Sequence, residues 1–283
     1  MPAEPLPETV PMREEGAPAR SGGALVYRQP RAVRLWHWTN AFAVIVMLMS
    51  GLMIFNAHPR LYWGQYGAND DLAWFEIGSA NGGGFTRVGS IIIPTTGLLG
   101  VSGGEEIAFP ALVTIPSSYD LAGARQWHFA FAWLLVIPGL LFWLWGLVSR
   151  HIPRDLLPDR GELRPANLAL AIKDHVRLRA PAGSAAQRYN ILQKLSYLAV
   201  IFGLLPTLVL TGLTMSPDMD AAWPWLLELF GGRQSARSIH FISAFLLVGF
   251  IVVHLLMVIL TGPANGLRAI VTGWYRLPQD RSQ

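Results

Sequence analysis

Four long apolar windows that contain no Asp, Glu, Lys or Arg constrain the fold of this chain most. They comprise residues 35–55, 127–148, 195–215 and 239–261. About 20 helical residues cross the hydrocarbon layer of a bilayer, and each window is long enough to do so. Pro138 and Pro206 lie inside the second and third windows, where neighbouring helices can satisfy the freed carbonyls. The sequence therefore predicts an all-α fold, an integral membrane four-helix bundle.

Composition excludes several classes of protein and site. Apolar residues make up 52% of the 283 residues and charged residues 14%, against about 25% charged in an average soluble domain. The chain has no cysteine, which excludes disulfides, iron–sulfur clusters, thiolate zinc sites and haem attached through C-x-x-C-H. The net charge of +4 fits basic cytoplasmic loops, so we expect no nucleic-acid partner.

The distribution of Lys and Arg predicts the orientation in the membrane. Five arginines precede the first window, and eight basic residues lie in the loop 149–190. The loop 56–126 has three arginines among six acidic residues. The positive-inside rule therefore places both termini and the loop 149–190 in the cytoplasm of a bacterial inner membrane. The loops 56–126 and 216–238 then face the periplasm.

The remaining segments suggest a simple domain organisation. Residues 1–28 are rich in Pro, Glu, Ala, Gly and Arg and have no apolar signal region, which predicts a disordered cytoplasmic tail. Residues 29–276 form one four-span domain, and residues 277–283 form a second cytoplasmic tail. The long extracytoplasmic loop 56–126 predicts a small hairpin and a short helix. It is either a surface for a partner protein or a compact cap over the bundle.

Four of the seven histidines, His37, His128, His240 and His254, lie in the apolar windows. An ionisable residue at membrane depth is expensive and points to function. His240 and His254 are 14 residues apart, so at about 100° per residue they project from nearly the same helix face, about 21 Å apart along the axis. Adjacent spans run in opposite directions, so the second and fourth spans both run inward. His128, at the start of the second span, therefore matches the depth of His240 near the outer surface. His37 likewise matches His254 near the inner surface.

Two neutral imidazoles that face each other suit the axial positions of a haem iron, and haem b needs no thioether bond. We therefore expect two haems b, an outer one on His128 and His240 and an inner one on His37 and His254. A proton relay and a transition-metal site are the alternatives. A metal site would gather its ligands at one depth, and a proton relay would usually add intramembrane Asp or Glu, which the windows lack.

Residues near these histidines suit a haem pocket. Arg34 and Arg237 each lie three residues before a proposed ligand, where they would pair with haem propionates or else extend to the membrane surface as ordinary interfacial arginines. Small residues at Ser50-Gly51 and Thr211-Gly212 allow helices to approach the ring or each other.

The four spans, the R-x-x-H-W stretch at residues 34–38 and the His240–His254 spacing resemble the bacterial di-haem cytochrome b561 group of membrane subunits. This group includes the gamma subunit of formate dehydrogenase and the cytochrome b subunit of nickel–iron hydrogenase. The strings NAHPRLYWG at residues 56–64 and GGRQSARSIHF at residues 231–241 are most similar to the thiosulfate-reductase-type cytochrome b subunit. The resemblance covers roughly residues 28–276.

The resemblance implies an electron-transfer subunit that connects a membrane quinone with a periplasmic redox partner, often a molybdopterin oxidoreductase. It also implies a quinone site beside the inner haem, lined by Asn190 at the start of the third span and by His254. An ordinary helix N-cap is the alternative role for Asn190. The outer loop is much longer than in the formate dehydrogenase subunit, so that partner's interface does not transfer.

Two other functions remain open. One is a self-contained quinone-coupled cytochrome b oxidoreductase, of the superoxide or ferric reductase type. The other is a haem-free anchor or proton-conducting module.

Overall fold

The computed structural model describes residues 24–177 and 189–277. Its helices are α1 Arg31–Asn56, α2 Leu121–Val148, α3 Pro165–Val176, α4 Ile191–Leu198, α5 Leu205–Thr214, α6 Pro217–Ala222, α7 Pro224–Leu229, α8 Arg233–Thr261 and α9 Pro263–Thr272. Its strands are β1 Leu25–Tyr27, β2 Arg60–Leu61, β3 Phe75–Ala80, β4 Gly83–Val88, β5 Ile91–Pro94 and β6 Trp274–Arg276.

Four helical segments of the described chain are long and apolar enough to cross a membrane. They are α1, α2, the stretch Ile191–Thr214 and α8. This confirms the predicted all-α, four-span membrane fold. Each helix begins several residues before its apolar window because polar residues such as Arg31 and Arg233 continue the same hydrogen-bonded ladder.

The third span is not a uniform α-helix. A π-helical stretch, Ala199–Leu204, connects α4 to α5. Pro206 lies in the first turn of α5, and proline has no N–H to donate to the preceding turn. Single π-helical turns absorb such a mismatch inside a longer helix. The span remains continuous from Ile191 to Thr214, as the prediction required.

The core of the bundle lies where all four spans meet. Ala43, Leu135, Leu205 and Leu247, from α1, α2, α5 and α8, are buried together with Val200. Large apolar side chains on the outer helix faces are exposed, among them Leu144, Val253 and Ile259. Large apolar side chains that are exposed on the helices are what a bundle surrounded by lipid requires.

The loop between α1 and α2 contains more strand than predicted. Strands β2, β3, β4 and β5 form an antiparallel sheet in sequence order, not one hairpin, and the predicted short helix is a 3₁₀ turn, Ala111–Val113. Asn81 and Gly82 both have positive φ between β3 and β4, as a two-residue hairpin turn of type I′ requires. The sheet carries a buried carboxylate, Glu76, that pairs with Arg60 and Arg87.

The sheet covers one end of the bundle. Phe55 at the end of α1 shares a buried cluster with Leu61 and Ile77 of the sheet and with Phe109, and Phe241 of α8 packs against this cluster. The loop is therefore a compact cap, one of its two predicted roles. We call this end of the molecule the sheet end.

The opposite end, which we call the terminal end, joins the first and last described residues. Strand β1 pairs with β6 in an antiparallel ladder, and the Tyr27 ring contacts the Trp274 ring edge-on at 5.4 Å. Leu25–Tyr27, which lie within the predicted tail 1–28, therefore form a strand, because the ladder satisfies the backbone of this segment. Residues 1–23 and 278–283, the rest of the two predicted tails, lie outside the described residues.

Candidate functional site

Two pairs of histidines face each other inside the bundle. His128 of α2 faces His240 of α8 with 6.3 Å between the ring centroids and 57° between the ring planes. His37 of α1 faces His254 of α8 with 6.4 Å and 54°. The structure thus brings together the same residues that the sequence pairs. Helix α8 supplies one member of each pair, near its start and near its end.

The spacing within each pair suits two ligands on opposite sides of one metal ion. Two imidazoles that bound one metal ion through bonds of about 2 Å, with about 1 Å from the ligating nitrogen to each ring centre, would have ring centroids about 6 Å apart. Both observed separations therefore fit a haem iron between the rings.

Hydrogen bonds fix the orientation of the sheet-end pair. The Nδ1 of His128 lies 3.1 Å from the Met47 carbonyl and 3.1 Å from the Ser50 hydroxyl. A carbonyl oxygen only accepts, so Nδ1 carries the proton and Nε2 keeps its lone pair. A neutral imidazole with a bare Nε2 is the form that binds a metal.

His240 is held in the same tautomer. Its Nδ1 lies 3.0 Å from the Thr211 hydroxyl, and that hydroxyl donates its own hydrogen to the Thr207 carbonyl at 2.6 Å. Thr211 therefore accepts from Nδ1–H of His240. This second bare Nε2 completes a donor set suited to haem.

Other metal sites find no support in the described residues. These residues contain no group of three or more His, Asp or Glu that could hold a metal ion. Paired imidazoles at two levels of a bundle remain the arrangement to explain.

A family model described as prokaryotic cytochrome b561 matches residues 28–273. The chain belongs to this family. Membership implies haem b and transmembrane electron transfer, which agrees with the cofactor class suggested by the paired imidazoles. It also confirms the family resemblance drawn from the sequence.

One curated relative matches this cytochrome over most of the length of both chains. The putative protein-methionine-sulfoxide reductase subunit YedZ1 of Azospira oryzae is 28% identical over 231 residues, which cover 82% of this chain and 89% of the relative. No solved structure matches.

The two arginines predicted to bind propionates have backbone partners in this cytochrome. Arg237 donates to the carbonyl of His58 and lies 5.5 Å from the centre of the Phe55 ring. Arg34 donates to the carbonyl of Val271 at 2.5 Å, and its Nε is buried without a hydrogen-bond partner among the described residues. Both arginines therefore connect distant segments of the chain, and their binding of haem propionates stays a prediction.

Asn190 caps the third span. Its side-chain oxygen accepts from the N–H of Leu192 at 3.0 Å, and the side chain of Gln193 accepts from the N–H of Asn190 at 3.2 Å. This is a capping box, the alternative role considered for Asn190. The cap occupies the side-chain oxygen, whereas a quinone carbonyl would need the side-chain NH₂ group.

Sequence reasoning missed the partners of the sheet-end histidines. Ser50 and Thr211 stood out only as small residues that allow close packing, and their hydroxyls in fact contact the imidazoles. The available signal was that each precedes a glycine in an apolar helix. It gave no indication of which histidine each would contact.

Proposed function

We propose that this cytochrome is a transmembrane electron-transfer subunit that carries two haems b and connects a membrane quinone with a redox protein outside the membrane. His128 and His240 would hold one haem, and His37 and His254 the other. The single observation that carries this proposal is the pair of imidazole–imidazole separations, 6.3 and 6.4 Å, at two levels of one bundle.

The depth of the two pairs supports a path across the bilayer. His240 and His254 lie on one continuous helix, α8, and 14 residues of helix rise about 21 Å. That distance is a large part of a hydrocarbon layer of about 30 Å. One pair therefore lies toward each membrane surface, as electron transfer across the membrane requires.

Haem b, when bound, supplies one-electron redox chemistry at each pair. The residues of this chain would provide four imidazole ligands with apolar side chains around them, and hydrogen bonds at Nδ1 keep the Nε2 atoms of His128 and His240 bare. Phe250 stacks on His254 at 5.8 Å, and Trp38 contacts His37 edge-on at 5.3 Å. Aromatic rings beside a ligand make its surroundings less polar, which is one way in which a protein adjusts the electronics of a haem.

We place the terminal end in the cytoplasm of a bacterial inner membrane and the sheet end in the periplasm. The basic residues support this orientation. Arg150, Arg154, Arg160, Arg164 and Lys173 lie between α2 and α4, next to the terminal end. The cap at the sheet end carries more acidic than basic residues. Because acidic residues have little influence on topology, the orientation follows from the basic residues near the terminal end.

We place the quinone near the terminal-end pair. Asn190 begins the third span at that end, and its side-chain NH₂ group would donate to a quinone carbonyl while its oxygen keeps the cap. His254 would border the pocket. An apolar slot with one polar donor is typical of a site for such a ligand.

The partner would dock at the sheet end. The relative from Azospira oryzae is named as a subunit of a putative reductase, which supports an enzyme partner for this chain too. The resemblance to formate dehydrogenase and thiosulfate reductase subunits favours a molybdopterin oxidoreductase. The cap presents exposed apolar residues there, including Leu72 and Leu112.

Purification from its native membrane, followed by mixing with a reduced quinol, tests this proposal. We expect the haem α-band to appear on addition of quinol and a second, soluble protein to co-purify. Turnover of superoxide or ferric iron by the isolated chain, with no second protein, would instead favour the self-contained reductase. Absence of any α-band would favour the haem-free anchor.

A further inference from the structure

Helices α1 and α5 contain two similar seven-residue stretches. Residues 46–52 read VMLMSGL and residues 207–213 read TLVLTGL. In both, a hydroxyl residue and a glycine occupy the fifth and sixth positions and leucine the seventh. We call these stretches the first and second clamp.

The two clamps make the same contacts with two different histidines. The Ser50 hydroxyl of the first clamp donates to the Val46 carbonyl four residues earlier at 2.8 Å and lies 3.1 Å from Nδ1 of His128. The Thr211 hydroxyl of the second clamp donates to the Thr207 carbonyl four residues earlier and lies 3.0 Å from Nδ1 of His240. Each hydroxyl donates its hydrogen to a carbonyl of its own helix and accepts a hydrogen bond from an imidazole.

The backbone contacts repeat as well. The Met47 carbonyl, three residues before Ser50, accepts from Nδ1 of His128. The Met47 carbonyl also lies 3.2 Å from the Ser50 hydroxyl, and the Leu208 carbonyl, three residues before Thr211, lies 3.3 Å from the Thr211 hydroxyl. The Nδ1–H of His128 is therefore shared between the hydroxyl and a carbonyl of the first clamp, and the Nδ1–H of His240 is bound by the hydroxyl of the second clamp.

The glycine of each clamp lies next to the ring. A Cβ added at Gly51 would lie 3.3 Å from Cε1 of His128, and one added at Gly212 would lie 3.5 Å from Cε1 of His240. The first distance is shorter than ordinary van der Waals contact and the second is ordinary, so the hydroxyl and the glycine border the same imidazole from adjacent positions on one helix. Such contacts fix both the tautomer and the plane of the ring.

We propose that Ser50-Gly51 and Thr211-Gly212 are two copies of one positioning device, which orients both ligands of the sheet-end haem and lowers its reduction potential. This inference rests on the proposed function. Donation from Nδ1–H to an acceptor makes an imidazole a stronger electron donor. A stronger donor stabilises oxidised iron, so loss of either acceptor raises the potential.

His37 of the terminal-end pair has no such acceptor in the described chain. The Nδ1 of His37 is buried without a hydrogen-bond partner among residues 24–177 and 189–277. Without an acceptor, its imidazole is the weaker donor. The clamps therefore give the two haems different potentials, with the lower one at the sheet end.

The test is a redox titration of the purified chain with optical and EPR detection, in the wild type, Ser50→Ala and Thr211→Val. Haem content per chain is measured alongside. We expect both variants to raise the potential of the sheet-end haem and to shift its largest g value, which depends on the angle between the two ligand planes. The potential of the other haem should stay unchanged.

Thr214→Val is the matched control. Thr214 is buried on the same helix, and its hydroxyl donates to the Thr211 carbonyl at 2.7 Å. Thr214→Val therefore removes the same hydroxyl group as Thr211→Val, from a side chain that contacts neither imidazole. Thr211→Ser keeps the hydroxyl, so its sheet-end haem should have the wild-type potential even if Thr211→Val binds no haem. Equal potentials and g values in Thr211→Val and Thr214→Val would overturn the inference, as would haem loss in Thr211→Ser. A wild-type chain without haem would instead overturn the proposed function.

Discussion

His37 and His254 face each other at the terminal end of the bundle with 6.4 Å between their ring centroids, although they come from the first and last membrane-spanning helices. The second pair joins the last helix to the second, through His240 and His128. Helix α8 is therefore common to both pairs. A haem at each pair would tie α1 and α2 to α8 independently.

This pairing predicts how haem is lost on substitution. His37→Ala and His254→Ala should each remove the terminal-end haem and leave the other, because a single remaining imidazole does not hold a bis-ligated iron. His128→Ala and His240→Ala should each remove the sheet-end haem. Pyridine haemochrome content and low-temperature α-band spectra distinguish the two losses.

The control for these variants is His58→Gln, a histidine outside the spans, which should keep both haems. Identical spectra from His37→Ala and His240→Ala, with a different haem lost in His254→Ala, would show that the pairs are assigned wrongly.

Substitutions at Asn190 separate its two roles. Asn190→Ala removes both the cap oxygen and the amide, and loss of an N-cap costs about 1 kcal/mol. Asn190→Asp keeps a capping oxygen and removes only the NH₂ donor. We expect Asn190→Asp to keep the thermal stability and haem spectra but to slow reduction by quinol in stopped-flow measurements. Wild-type quinol kinetics in this variant would remove Asn190 from the quinone site.

Glu76→Gln should loosen the cap at the sheet end. Glu76 is 7% exposed in its side chain and pairs with Arg60 and Arg87, whose side chains are 30% and 26% exposed. Breaking a buried ion pair is strongly destabilising, and partial exposure of the arginines reduces the cost to roughly 2 kcal/mol. Limited proteolysis should cut the loop faster, whereas the exposed control Glu105→Gln should behave as the wild type. Equal cleavage of both variants would contradict this role.

His58 should make the cap sensitive to acid. Burial lowers the pKa of His58, Arg237 and Arg60 lower it further, and Glu76 opposes them. A lowered pKa means that the fold favours the neutral ring. Its contribution to stability is complete above the unfolded pKa of about 6.5 and is lost as the pH falls through the folded value.

We therefore expect proteolysis of the wild-type loop to accelerate on acidification below about pH 6.5 and His58→Gln to reduce that acceleration. The same acid dependence in both proteins would show that other groups cause it.

The sequence predicted the spans and the histidine pairs because both depend on short-range rules. Runs of apolar residues set the spans, and helix periodicity places His240 and His254 on one face. The contacts between Ser50 and His128 and between β1 and β6 depend on how distant segments meet, which periodicity does not encode. The turn at Asn81-Gly82 forms locally, but the number of strands beyond it depends on tertiary packing.

Haem stoichiometry in the purified chain tests the central claim most directly. After expression with ample haem, we predict two haems b per chain by pyridine haemochrome and protein determination, with two resolved steps in a redox titration. One haem per chain, or a colourless protein that keeps its helical fold, would contradict the account.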